Sequence, residues 1–211
     1  MPTALAYNNS LLRFNNYVID PGSTPVPPTP ILPANTVRVR TSDGQPPIKD
    51  EAAPATYETA TLVTGTTDVY DVYKSGTDFE GLLTLSYNVT EVLGANTTGI
   101  TNMKSMFSNC DSLTSVQLFN TSSVTTMQNM FSRCSSLTSV PLFDTSSVTN
   151  MNNMFGSCTR VESGALALYN QASSQATPPS KHTRTFYYCG SNTTTGAAEL
   201  AQIPSSWGGN A

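Results

Sequence analysis

Cys110, Cys134 and Cys158 stand 24 residues apart, and two methionine columns, Met103, Met127 and Met151 and then Met106, Met130 and Met154, keep the same step. Thiolate and thioether sulfurs are soft metal and haem ligands, and a thiolate is an effective nucleophile. A zinc or iron–sulfur site would bring Cys or His together at short spacing, yet the chain has no Cys-x-x-Cys and a single histidine, His182. Apolar side chains share the same phase. Phe107, Phe131 and Phe155 form one column, Leu113, Leu137 and Val161 another, and Ile100, Val124 and Val148 a third. A ligand set has no need of in-phase Leu and Val, whereas a repeating core does. The sulfur columns therefore read as packing, with no metal and no cofactor.

No Ser-His-Asp arrangement, paired carboxylates in phase or Gly-rich phosphate loop has supporting context. The sequence predicts a protein that is not an enzyme. Charged residues make up only 11% of the 211 and the formal net charge is −4, which leaves no basic stripe to neutralise phosphates. Nucleic acid is not an expected partner. A hydrophobic content of 38% is enough for a core, and the polar surface is built from Ser, Thr, Asn and Gln, as in extracellular and virion proteins.

The positions that carry these residues must be set by a repeat whose units cannot bury their apolar sides alone. In VTTMQNMFSRC, Val124, Met127, Met130 and Phe131 lie on one helical face, with Ser122 or Ser123 able to cap its start. In LTSVPLF, Leu137, Val140 and Leu142 have the spacing of an L-x-x-L-x-L strand. Each unit is expected to supply a short helix or helical turn and one short strand. The strands, near 113–118, 137–142 and 161–166, should stack in parallel, with Leu118, Leu142 and Leu166 in one column. Asn96, Asn120 and Asp144 recur just after the strand, where a short polar side chain can bond the turning backbone. Three stacked cysteines would lie about 5 Å apart, the separation of neighbouring strands. That distance accommodates a disulfide, but equivalent rotamers do not present sulfur to sulfur, so buried free thiols are expected.

The register recovers a disguised unit at 75–98, where Phe79, Leu82, Leu83, Ser86, Val89 and Val92 precede Met103, Met106, Phe107, Cys110, Leu113 and Val116 by the same step. Units follow at 99–122 and 123–146, and a third begins at 147 before ALALYNQASSQATPP diverts it. In KHTRTFYYC, Phe186 precedes Cys189 as Phe107 precedes Cys110, and ELAQIP imitates SLTSVP. This reads as a degenerate closing unit, its end covered by Trp207. The fold class is therefore an α/β solenoid, a short leucine-rich-repeat array of 24-residue period over 75–211. A small β-rich cap at 35–74, with alternation in TVRVRT, ATYETATLV and DVYDVY, should close its first face. Ahead of the cap, residues 21–34 hold a Pro-rich linker, and residues 1–20 an arm with hairpin character.

FDTSSVTNMNNMFGSC and SLTSVPLFDTSSVTNM resemble the leucine-rich repeats of BspA-like bacterial surface proteins, over about residues 75–166. The resemblance implies a surface protein engaged in adhesion and protein binding; similar arrays occur in gut-phage and prophage virion proteins. Met1 to Asp20 shows no basic start, apolar stretch and small-residue cleavage site, and no run reaches a membrane span of roughly 20 apolar residues. Virion display is therefore the expectation, with a capsid- or tail-stabilising protein and a bacterial adhesin as alternatives.

On a virion the arm would attach the protein to other virion proteins through Tyr7, Leu11, Leu12, Phe14, Tyr17, Val18 and Ile19. The outward strand positions Glu91, Leu93, Ser115, Gln117, Ser139, Pro141, Ser163 and Ala165 form the expected ligand face, directed at a host-surface protein or glycan. A homo-oligomer is compatible with this arrangement. Membrane insertion is not expected.

Overall fold

The computed structural model describes residues 13–14, 17–18, 32–47 and 57–211 and divides into two compact units, Met1–Ile31 and Leu32–Ala211. In the first, β1 (Arg13–Phe14) and β2 (Tyr17–Val18) pair antiparallel as a two-residue ladder. The anchor positions Tyr7, Leu11, Leu12 and Ile19 lie outside the described residues; Phe14, Tyr17 and Val18 fall in that hairpin.

The second unit opens with β3 (Thr36–Thr41), whose sequence TVRVRT buries Val37 and Val39 and leaves Arg38 and Arg40 half-exposed. Period-2 alternation of β-branched and charged residues suits a strand with one covered face. It is flanked antiparallel by β5 (Val69–Tyr73) and β6 (Val89–Asn96), and β4 (Thr59–Leu62) adds to the far side of β5. Cross-strand charges match across the ladder. Arg38 forms a two-pronged pair with Asp71 at 2.7 and 2.8 Å, and Arg40 reaches Glu91 at 2.9 Å. Two bulges shift the β3–β6 register.

β6 also belongs to the first 24-residue unit, and this joins the antiparallel sheet to the stack. Its other edge pairs in parallel with β7 (Ser115–Val116), through Glu91 to Ser115 and Val92 to Val116. Parallel contacts continue beyond it. Thr114 donates its amide to the Thr90 carbonyl, Thr138 to Thr114 and Glu162 to Thr138, and Ser139 bridges Ser163.

On the opposite side the units meet through a second ladder. The amides of Phe79, Gly81, Leu83 and Leu85 donate to the carbonyls of Asn102, Lys104, Met106 and Ser108, and Met103, Ser105, Phe107 and Asn109 donate to Thr126, Gln128, Met130 and Ser132. The same alternation carries Met127–Arg133 onto Asn150–Gly156, and Met151–Ser157 onto Lys181–Tyr187. Intervening amides turn back three residues, as Met106 does to Met103 and Met130 to Met127.

The Met-Phe segments are thus successive turns, not the short helix that their apolar spacing suggests. An α-helix would send every amide four residues back along its own chain. Here two residues per unit sit in the left-handed region, Ser105 and Asn109, Asn129 and Arg133, Asn153 and Ser157, and that geometry aims alternate amides at the neighbouring unit. The apolar face survives because turn and helix both return side chains to one side every three or four residues.

Inside, the columns stack. Phe107 lies 5.2 Å from Phe131, Phe131 5.2 Å from Phe155 and Phe155 6.2 Å from Phe186, with planes within 12° of parallel. Cys110, Cys134, Cys158 and Cys189 are free and buried, and the first three donate S–H to the carbonyls of Leu83, Phe107 and Phe131.

The strand expectation needs correcting: of 113–118 only Ser115–Val116 forms a strand, and of 137–142 only the isolated bridge of Ser139 to Ser163 remains. Leu118 and Leu142 are 61% and 48% exposed, and Phe143 is buried instead. The inward position moves by one residue in both units, to Phe119 and Phe143, whose ring centroids lie 4.9 Å apart. Phe143 turns back onto the Pro141 carbonyl, but the shift does not need a proline, since Gln117 beside Leu118 does donate its amide to Val92. Residues 161–166 do not form a strand. Helix α1 (Ala165–Ser173) begins there, entered through Gly164 at φ 95, whose added Cβ would lie 2.4 Å from the Val140 carbonyl oxygen. It buries Ala165, Leu168 and Ala172, leaving Leu166 half-buried. Helix α2 (Thr194–Leu200) is capped by the Thr193 side chain, which accepts from the Gly196 amide, and a short 3-10 turn at Ser205–Trp207 follows. The Phe186 amide donates to the Trp207 carbonyl, so the Ser205–Trp207 turn packs on the unit that carries Phe186. No helix among the described residues is long and apolar enough to cross a membrane.

Candidate ligand face

The parallel edge of each unit presents one residue of a hydroxyl column to solvent: Val116 and Val140 pack on the core, and a strand turns their neighbours Ser115 and Ser139 the other way. Ser115, Ser139 and Ser163 are exposed one above the other, and Gln117 beside them is exposed too. Glu91 stands half-exposed at the start of this face, held by Arg40, and Leu93 is half-buried next to the bulge.

Two expected members leave the face. Pro141 is buried because the chain turns inward there to seat Phe143, and Ala165 is buried as the first residue of α1.

A second column, not singled out from the sequence, runs alongside. Thr114 and Thr138 are exposed, and each hydroxyl donates to the carbonyl one unit earlier, to Thr90 at 2.9 Å and to Thr114 at 3.1 Å. Glu162 takes the next place. Where α2 begins, Thr138, Arg160, Glu162, Asn192 and Thr193 line a shallow, open, polar notch. The only signal for it in the sequence is the in-phase Thr90, Thr114 and Thr138, which reads equally as ordinary strand composition.

The turns after the strands are set by side chains. Asn120 accepts from the Ser122 amide at 3.0 Å and Asp144 from the Ser146 amide at 2.9 Å. These bonds favour ionised Asp144, whose carboxyl is held below its ordinary range chiefly by Ser146. Thr121 is buried and donates to the Asp144 carbonyl, while Thr145 receives Gln175 of the segment after α1 at 2.6 Å.

Nucleophilic chemistry is poorly served by these groups. Burial pushes the Cys158 thiol up to about 12, and the Cys134 and Cys189 thiols well above their usual range, so all three stay protonated at neutral pH. Among the described residues no group of three His, Cys, Asp or Glu could hold a metal ion. The face offers hydroxyl, amide and carboxylate groups for hydrogen bonding.

Residues 66–186 match the family described as "Mycoplasma protein of unknown function, DUF285", a span that runs from the turn before β5 through the stacked units to Phe186. No curated protein and no solved structure matches the chain.

Proposed function

The chain belongs to the DUF285 family, which is associated with BspA-like surface repeat proteins, and from that premise we propose a noncatalytic surface protein that presents a leucine-rich-repeat solenoid for binding. Its partner is a host-surface protein or glycan. The carrier is a virion, to which residues 1–20 attach the body through the Pro-rich segment at 21–34. The observation that supports this most is the division of labour within a unit. Every Met, Phe and Cys column is consumed in the core, while Ser115, Ser139 and Ser163 are held outward in register on a backbone fixed by two inter-unit ladders. Rigid presentation of adaptable hydrogen-bonding groups lowers the ordering cost of binding.

A bacterial cell-surface adhesin is the second reading, and the family description favours it, since it is written for a cellular protein. Both readings put the same face to work. Replacing Ser115 and Ser139 by Arg fills that face without touching the core. The double variant should keep its melting temperature and lose attachment of the purified protein to host cells by about tenfold or more, equivalent to at least 1.4 kcal/mol. Unchanged attachment would remove the strand face from the account.

A further inference from the structure

The closing unit differs from the three units before it. In the first unit the half-buried Leu85 already takes the position of Asn109 at φ 62, so what sets the closing unit apart is the exposure of its side chains. At the position of Asn109, Arg133 and Ser157 it places Tyr188, also in the left-handed region at φ 56, and at the position of Ser108, Ser132 and Gly156 it places Tyr187. Ser108, Ser132 and Gly156 are buried, whereas Tyr187 is 38% and Tyr188 53% exposed. A bulky aromatic residue at positive φ is uncommon and more strained than the Asn that holds this position as Asn109. An exposed ring returns little of that through burial. Packing therefore does not account for two adjacent tyrosines here.

Their surroundings point to a ligand. The rings lie 4.3 Å apart, tilted by 52°, and the Arg184 guanidinium stands 5.3 Å over the Tyr187 ring. Arg184 is itself at φ 58, where earlier units carry Ser105, Asn129 and Asn153. Lys181 and His182 precede it, and His182 stacks on Trp207 at 4.3 Å. No Asp or Glu occurs between Glu162 and Glu199, and the Glu199 carboxylate is turned to the amides of Gly164 and Leu166. The ion pairs among the described residues all lie at the other end of the stack, on Arg38, Arg40 and Lys104. Arg184 and Lys181 are in none of them.

We propose that Arg184, Tyr187 and Tyr188 form a binding site for an acidic saccharide, a pyranose bearing a carboxylate. The C–H face of the sugar lies on the more exposed Tyr188 ring, whose negative π-face attracts it, and the carboxylate pairs with the fork of Arg184, which stands over the neighbouring Tyr187. A protein anchor would want an apolar rim, but the neighbouring units offer Arg133, Asn153 and Ser157 at this surface. The inference rests on the reading of a noncatalytic binding protein and gives it a ligand class at a second place, away from the strand face.

Titration calorimetry on the full chain with sialyllactose and trigalacturonate, against lactose and maltotriose, tests it. At least one acidic sugar should bind about tenfold more tightly than its neutral counterpart. Tyr188→Asn and Arg184→Gln should each reduce that binding by about tenfold. Because Asn tolerates left-handed φ, Tyr188→Asn should melt no lower than wild type, which separates recognition from folding. Equal affinity for acidic and neutral sugars, undiminished binding by both variants, or tighter binding of a single-stranded oligonucleotide would each overturn the site. A sugar-binding protein found only inside cells would instead leave this site standing and refute the surface reading.

Discussion

Phe107 and Phe131, one repeat apart in sequence, stack face to face with centroids 5.2 Å apart and planes within 12°. Phe131 continues to Phe155 at the same distance, so its ring is sandwiched and has no solvent contact. Phe131→Ala should destabilise by about 3–5 kcal/mol, as for other fully buried aromatics. Chemical denaturation would show it as a lower midpoint at unchanged slope. A loss under about 1 kcal/mol would mean that the column does not carry the stack.

Ser86 fills the cysteine column in the first unit, where it is fully buried and its hydroxyl has no hydrogen-bond partner. An unsatisfied buried hydroxyl costs about 1–3 kcal/mol. Ser86→Cys, the residue that the other units use, should therefore raise stability by about 1 kcal/mol. A lower denaturation midpoint for Ser86→Cys would show that the column is not equivalent at its first position.

The thiols give a pH dependence of definite sign. An unfolded cysteine titrates near about 8.5, whereas burial raises Cys158 to about 12 and moves Cys134 and Cys189 in the same direction. The folded state then holds protons that the unfolded state has released, so stability is complete below about pH 8.5 and declines as pH rises toward the folded values. Melting temperature should fall between pH 8 and pH 11, and Cys134→Ala should flatten that fall. An identical decline in Cys134→Ala would assign it to other groups, such as the tyrosines.

Gly164 admits the chain into α1 at φ 95 with the Val140 carbonyl against it. Gly164→Ala combines left-handed strain with a backbone clash that no side chain can relieve. It should cost about 2 kcal/mol or more, read as a lower denaturation midpoint. A neutral result would mean that the chain does not enter α1 against the Val140 carbonyl.

The columns of Met, Phe, Cys and Leu were legible because each position in a stack meets its own image in the next unit, and a constant step exposes that directly. Even the disguised first unit could be found by register, with Phe79, Leu82, Leu83 and Val92 all buried. Local geometry was less legible. Spacings of three and one at Met127, Met130 and Phe131 fit a helix and a run of turns equally. The deciding residues, Asn129 and Arg133 at positive φ, include one type that gives no hint of it. The available signal for the inward shift was the in-phase pair Phe119 and Phe143, which take the place of the exposed Leu118 and Leu142 whether or not a proline precedes them. On the ligand face, Ser115, Ser139 and Ser163 could be read from alternation, but Ala165 could not, because alternation stops where Gly164 starts a helix.

The most direct test of the account is where the protein sits on its source. Antibody against the folded body, residues 32–211, labelled with gold and applied to intact particles and unbroken cells, should decorate an outer surface. Gold on virions is the expected result, and gold on the cell envelope would support the adhesin reading. Labelling that requires broken cells and stays within the cell interior would contradict a surface-displayed binding protein.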